Sequence, residues 1–143
     1  MQVYLAAAFS RKEEIRKIAE ELKSLGINVQ ARWLYESPVL PETVKSNFMR
    51  ERAEIDEEDV LAATVLVRFS DDLRATHVPS GLATCARMVE MGLARRNGAK
   101  IVVVGGNQCV FDYWKEVRHV KDVAELKSYL SAYKSSWEFL EAR

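Results

Sequence analysis

Thr64-Val65-Leu66-Val67-Arg68-Phe69 is an aliphatic, β-branched run broken by a single arginine. A short run of this kind, without polar alternation, predicts a strand buried on both faces of a sheet. Lys100-Ile101-Val102-Val103-Val104 repeats the pattern and ends on Gly105-Gly106. Between them, from about Leu82 to Arg96, lies a helix that Asn97-Gly98 stops.

The same alternation continues toward the N-terminus. Pro41 suits the first turn of a helix whose apolar stripe is Val44, Phe48, Ile55 and Ala62. Glu36 to Leu40, with Pro38, is a loop. Ile27 to Leu34 alternates apolar and polar residues and predicts a second strand. Gln2 to Ala8 predicts the first. Ser10-Arg11-Lys12-Glu13 has the form of a capping box, with Ser10 at N-cap and Glu13 at N3. Ile15, Ile18, Ala19 and Leu22 then share one helical face, and Gly26 ends the helix.

Beyond the fourth strand, Val117 to Val120 predicts a short fifth. Asp122-Val123-Ala124-Glu125 is a second capping box, opening a helix through Tyr133. Ser135 to Arg143 is read as a tail carrying Trp137 and Phe139. Strand and helix alternating in this way predict an α/β fold, with a central parallel sheet of four to five strands covered on both faces. The 143 residues are expected to form a single domain, 1–143.

Composition narrows the function. Lys plus Arg is 21 and Asp plus Glu is 21, so no global basic field draws in nucleic acid. Val3 to Phe9 is too short for a signal segment or a membrane span. Cys85 and Cys109 lack any metal-ligand spacing, and a reduced cytoplasmic protein is the simplest expectation. Neither GxGxxG after the first strand nor GxxxxGK[ST] occurs, and no cofactor or metal is expected. His77, in the Ser70 to Ser80 loop with Pro79, and His119 belong to no recognisable catalytic motif.

In an open parallel sheet, ligands bind beyond the carboxyl ends of the strands. Those ends carry Phe9-Ser10-Arg11, Trp33, Ser70-Asp71 and Gly105-Gly106-Asn107. The helix from Leu82 starts at the same rim. Within it, Ala83, Ala86 and Ala94 share the face of Glu90, so a carboxylate stands among small residues. Carboxylates with aromatic walls suit glycosidic chemistry. Phe9 and Trp33 offer stacking surface for a base. Ser10, Arg11 and Arg87 offer contacts for an anion.

Three stretches carry a resemblance: Tyr4-Leu5-Ala6 at the end of the first strand, Asp56-Glu57-Glu58-Asp59-Val60-Leu61-Ala62-Ala63 before the third, and Val89-Glu90-Met91-Gly92-Leu93-Ala94. Their order and spacing over Gln2 to Gly105 resemble the nucleoside 2-deoxyribosyltransferase family, which includes related deoxynucleoside monophosphate N-glycosidases. The resemblance implies a flavodoxin-like three-layer α/β sandwich. It implies cleavage of the N-glycosidic bond of a 2′-deoxynucleoside or its monophosphate. Glu90 would be the nucleophile, Tyr4 would orient it, and Asp56 would handle protonation at the base or contact the sugar. It also implies a homodimer or higher oligomer with shared sites, Asn107 lying in the segment that reaches the neighbouring subunit.

The chain departs from the family's pattern at Ala7-Ala8, at Thr64, in having only Gly81 before the nucleophile, and at Arg87. Helical geometry puts Asp59 in the apolar stripe, while counting back from the strand favours Asp56; the count is followed, and Asp59 stays the alternative second carboxylate. Three functions follow: a transferase passing deoxyribose to a second base, a monophosphate N-glycosidase with water as acceptor, and a non-catalytic nucleotide-binding module.

Overall fold

The computed structural model describes residues 1–36, 46–71 and 81–142. The expected Pro38 loop, the helix start at Pro41 and Val44, and the loop residues His77 and Pro79 lie outside them. Strand β1 (Gln2–Ala6) is flanked by β2 (Asn28–Val29) on one side and β3 (Val65–Phe69) on the other; β4 (Lys100–Val104) and β5 (Arg118–Val120) continue outward from β3. All neighbouring pairs are parallel, with Tyr4 opposite Leu66 and Leu66 opposite Ile101. This is the flavodoxin-like order and the five-stranded parallel sheet expected.

Among the described residues, four α-helices cover the sheet. Helix α1 (Lys12–Ser24) and α4 (Val123–Glu141) are tied to each other by an ion pair between Glu21 and Lys127. Helices α2 (Ser46–Ala62) and α3 (Gly81–Arg96) pack against each other. Right-handed crossovers from β1 outward in both directions require this division into two faces. Strand burial is complete where expected: Val3, Tyr4, Leu5, Leu66, Val67 and Val102 are inaccessible. Gly26 adopts φ 71 after α1, and the Gly26 and Ile27 amides close on the Lys23 and Leu22 carbonyls. That Schellman ending turns Ile27 back onto the core beside Leu22.

Several expectations are corrected. The second strand covers only Asn28–Val29, and Arg32–Tyr35 forms a 3₁₀ turn. The cause is Asp59, whose buried carboxylate accepts the Arg32 amide at 2.8 Å, Arg32 Nε at 2.8 Å and Gln30 Nε2 at 2.7 Å, bending the chain off the sheet edge. The Ser10 capping box does not form: Phe9–Arg11 makes a 3₁₀ turn, α1 begins at Lys12, and Arg11 at its N-cap makes no side-chain cap bond. In the second box, Asp122 caps the Glu125 amide at 2.9 Å, but Glu125 reaches the Lys121 amide instead of that of Asp122. The last helix does not stop at Tyr133. It runs to Glu141, with Ser135 and Ser136 bonding back to Ser131 and Ala132 carbonyls and Trp137 against Tyr133. The stripe on α2 excludes Ala62, which is exposed, and the helix buries Asp59 and Val60 instead. No helix among the described residues is long and apolar enough to cross a membrane.

Candidate active site

The strand order reverses between β1 and β3, so the crevice at their carboxyl ends is the topological place for a ligand. Three elements converge on this end of the sheet. Tyr4, fully buried on β1, donates its hydroxyl to Glu90 Oε1 on α3 at 2.7 Å. Asp56, on α2, lies near enough for its charge to act on both. Residues far apart in the chain therefore meet because β1 is an inner strand beside β3 and α2 and α3 pack against each other.

Burial pushes the Glu90 carboxyl up to about 7; the Tyr4 bond and Arg87 pull against this, and the Asp56 charge adds to it. Tyr4 is held far above its ordinary value, first by burial and then by Glu90 and Asp56, so it remains a donor. Asp56 is raised too, by burial and then by Asp59, with Arg52 and Arg32 partly offsetting. Its Oδ1 is buried and has no hydrogen-bond partner among the described residues. A buried acceptor left open normally costs stability, so an open carboxylate oxygen beside a second carboxylate is a functional signal. Asp59 differs: it is fully buried and saturated by Gln30 and Arg32. Of the two carboxylates left open by the sequence, Asp56 has the free oxygen and Asp59 holds the fold.

The raised Glu90 has a thermodynamic consequence. Between the unfolded value of 4.5 and the folded value of about 7, the folded protein binds more protons at this group than the unfolded chain. Its contribution to stability therefore falls as pH rises through that window. Glu90→Gln removes the penalty, on the order of 3 kcal/mol above pH 7. Thermal melts should show Glu90→Gln several degrees above wild type at pH 8, and the gap closing near pH 4.5. An equal gap at both values would contradict the burial of an ionisable group here.

The surrounding rim is a chain of paired charges. Arg87 is 1% exposed, donates Nη1 to the Phe69 carbonyl at 3.1 Å, and grips Asp71 with both Nη atoms at 3.0 and 2.6 Å. Arg11 reaches the Ser70 carbonyl at 2.7 Å and pairs with Glu14. Gly105, at φ 94, lets β4 close on Ser70, where an added Cβ would stand 3.3 Å from Ser70 Cβ. Fully buried Arg68 pairs with Asp112 at 2.6 Å and donates to Gln108 at 2.9 Å, pinning the Val110–Tyr113 turn to β3. Gln108 and Asp112 were not anticipated. The signal was present, since an arginine inside a strand covered on both faces needs a buried acid.

The remaining expected residues are spread along the rim. Phe9 is 48% exposed and its ring lies 6.3 Å from that of Trp33. Trp33 is mostly buried, and its indole donates to the Leu5 carbonyl at 2.9 Å. Ser10 is exposed in the turn before α1, and Asn107 is exposed after β4. On the face of Glu90, Ala86 is exposed and Ala94 is buried. Among the described residues, no group of three His, Cys, Asp or Glu is arranged to hold a metal.

Solved structures share this architecture. A 2-deoxyribosyltransferase from Bacillus psychrosaccharolyticus superposes with a TM-score of 0.65 at 16% identity, over 89% of this chain and 90% of that one. A conserved protein from Enterococcus faecalis V583 gives 0.60 at 16% identity, over 90% and 95%. The CMP N-glycosidase BcmB of Clostridium botulinum gives 0.55 at 17% identity, over 92% and 99%. At these identities the likeness is one of fold. No protein-family model matches the chain, and no curated protein sequence matches it.

Proposed function

We propose that this chain cleaves the N-glycosidic bond of 2′-deoxynucleosides through a deoxyribosyl ester on Glu90 and passes the sugar to a second base. The observation that carries the reading is the part-buried Tyr4–Glu90 hydrogen bond of 2.7 Å beside the open carboxylate oxygen of Asp56. In the first step a Glu90 carboxylate oxygen bonds to C1′ and the C1′–N bond breaks. Its electron pair leaves with the base, which takes a proton from Asp56. In the second step the acceptor base attacks C1′, Asp56 receives the proton, and the ester bond to Glu90 breaks. The transferase likeness in fold supports this family of chemistry.

A second reading, hydrolysis of a deoxynucleoside monophosphate, draws support from the fold likeness to the CMP N-glycosidase. In that case Ser10, Arg11 and Arg87 would meet the phosphate. A non-catalytic nucleotide-binding module would use the same crevice without the chemistry. Incubating the protein with deoxynucleosides and their monophosphates, with and without a free acceptor base, separates the three by chromatography. The transferase forms a new nucleoside only when the acceptor is present. Free base released equally without acceptor indicates the hydrolase, and unchanged substrate indicates the binding module.

The site is proposed to be completed by a second copy of the chain. Val89 on α3, Val110, Phe111 and Tyr113 are large apolar groups left exposed close to the rim. The turn bearing the last three is held rigid by the Arg68–Asp112 pair. Apolar area on a rigid rim suits an interface. Asn107, beside that turn, would then approach the partner's site, while Phe9 lies against the base. Light scattering at micromolar concentration should give twice the chain mass or more; an active monomer would refute the shared site.

A further inference from the structure

The two ends of the sheet treat their cations differently. At the carboxyl ends, Arg11 and Arg87 are braced on carbonyls and carboxylates. At the amino end of β4, an open cavity of about 480 Å³ is lined by Arg95, Arg96, Lys100, Glu116 and Tyr133. Gly98, at φ 85, turns the chain from α3 into β4, so Arg96 and Lys100 face the same space. Arg95 is fixed: its Nε donates to Glu116 Oε1 at 2.6 Å, and its guanidinium lies 4.1 Å from the centre of the Trp114 ring. Arg96 and Lys100 are exposed, and neither side chain makes an ion pair or hydrogen bond among the described residues. The half-buried Tyr133 likewise makes no hydrogen bond through its hydroxyl. The carboxyl end of α3 contributes about half a negative charge. Against that end and Glu116, three cations leave the cavity net positive. Cations gathered in a concavity focus their field on an anion, and a bound dianion removes their mutual repulsion.

We propose that this cavity is a second ligand site, for a phosphate monoester on a small organic body, and that it fills independently of the crevice at the carboxyl ends. The Arg96 guanidinium offers a planar fork to two phosphate oxygens, and the Lys100 ammonium meets the second charge. The Tyr133 hydroxyl is a further donor on the same wall. The volume sets the ligand's size. About 480 Å³ lies in the range that small-molecule ligands occupy and is much more than a bare phosphate fills. The position sets its independence. Lys100 begins β4, whereas Tyr4, Asp56 and Glu90 meet at the opposite end of the sheet.

The test is calorimetry with ribose 5-phosphate, ribose and inorganic phosphate, with amide NMR to locate the ligand. Ribose 5-phosphate should bind with Kd below about 1 mM, and ribose should not bind. The amide signals of Gly98, Ala99 and Lys100 should shift on titration. Arg96→Gln and Lys100→Met alter exposed side chains and leave the fold intact. Each should weaken binding about tenfold or more, the scale of one charged hydrogen bond. Inorganic phosphate should bind more weakly than the ester; equal affinity would overturn the ester as the ligand. The site itself is overturned by an absence of saturable binding, by wild-type affinity in both variants, or by shifts at Ser70 and Gly106 without those at Gly98 to Lys100. Glu90→Gln should bind ribose 5-phosphate as wild type does, so a failure here is distinct from a failure of the Glu90 reading.

Discussion

Glu90→Ala is expected to lower turnover at least about 10⁴-fold while the protein stays folded, the scale at which loss of a nucleophile acts. The two halves of that expectation have separate causes. Chemistry is lost because no other described carboxylate receives the Tyr4 hydroxyl, so none is oriented to take its place. The fold survives because the Glu90 carboxylate is buried at a cost in its ionised form, and removing it lifts that cost at neutral pH. Glu90→Gln keeps the Tyr4 contact and should still bind substrate without forming the ester. Mass spectrometry of acid-quenched wild type should find one added deoxyribosyl group on the Glu90 peptide and none in either variant. Near wild-type turnover in Glu90→Ala, or an adduct on another residue, would remove Glu90 from the role of nucleophile.

The sheet was legible because its central strands are apolar on both faces. Val65–Phe69 and Lys100–Val104 are too short and too uniformly aliphatic to be anything but inner strands between helices. Gly26 and Asn97-Gly98 were legible as helix ends because the left-handed backbone there, at φ 71 and 85, strongly favours glycine. The stretch from Ile27 to Leu34 was misleading, since alternation persists whether the chain remains in the sheet or turns away. The deciding group is Asp59, 27 positions from Arg32, and no local pattern reveals it. The end of α4 was missed for a related reason: serines and aromatics read as a tail until Tyr133 and Trp137 are seen to pack along one helix.

The site was legible in unequal parts. Tyr4 and Glu90 are 86 positions apart, and their pairing came from the family resemblance, not from any periodicity. The Arg11 and Arg87 side chains were read as open to an anion because a sequence shows a charge without its partner. In the fold both are braced on the carboxyl end of β3, by the Ser70 carbonyl and by Asp71. Asp56 and Asp59 differ in hydrogen-bond supply, which depends on where α2 meets the 3₁₀ turn at Arg32–Tyr35.

Asp56→Asn should lower kcat for poor leaving bases by about 10²–10³-fold, within the range of a lost general acid. The Asp56 charge raises Glu90 and such repulsion is mutual, so the two lose protons as a pair. The form that reacts holds one proton, offering a carboxylate to C1′ and an acid to the base. The pair's last proton leaves near the raised Glu90 value of about 7, so wild-type kcat/KM should fall above that pH and fall again at lower pH when the pair is fully protonated. Replacing Asp56 by an amide removes both the acid and the repulsion on Glu90. The profile should change from a bell to a single rise with pH whose midpoint lies below 7, because only ionisation of Glu90 remains. Stability should hold or improve, since the open Oδ1 no longer belongs to a buried charge. Asp59→Asn makes the control: it loses bonds to the Arg32 amide, Arg32 Nε and Gln30, and should cost about 2–4 kcal/mol of stability. A bell-shaped profile surviving in Asp56→Asn but vanishing in Asp59→Asn would exchange the two roles.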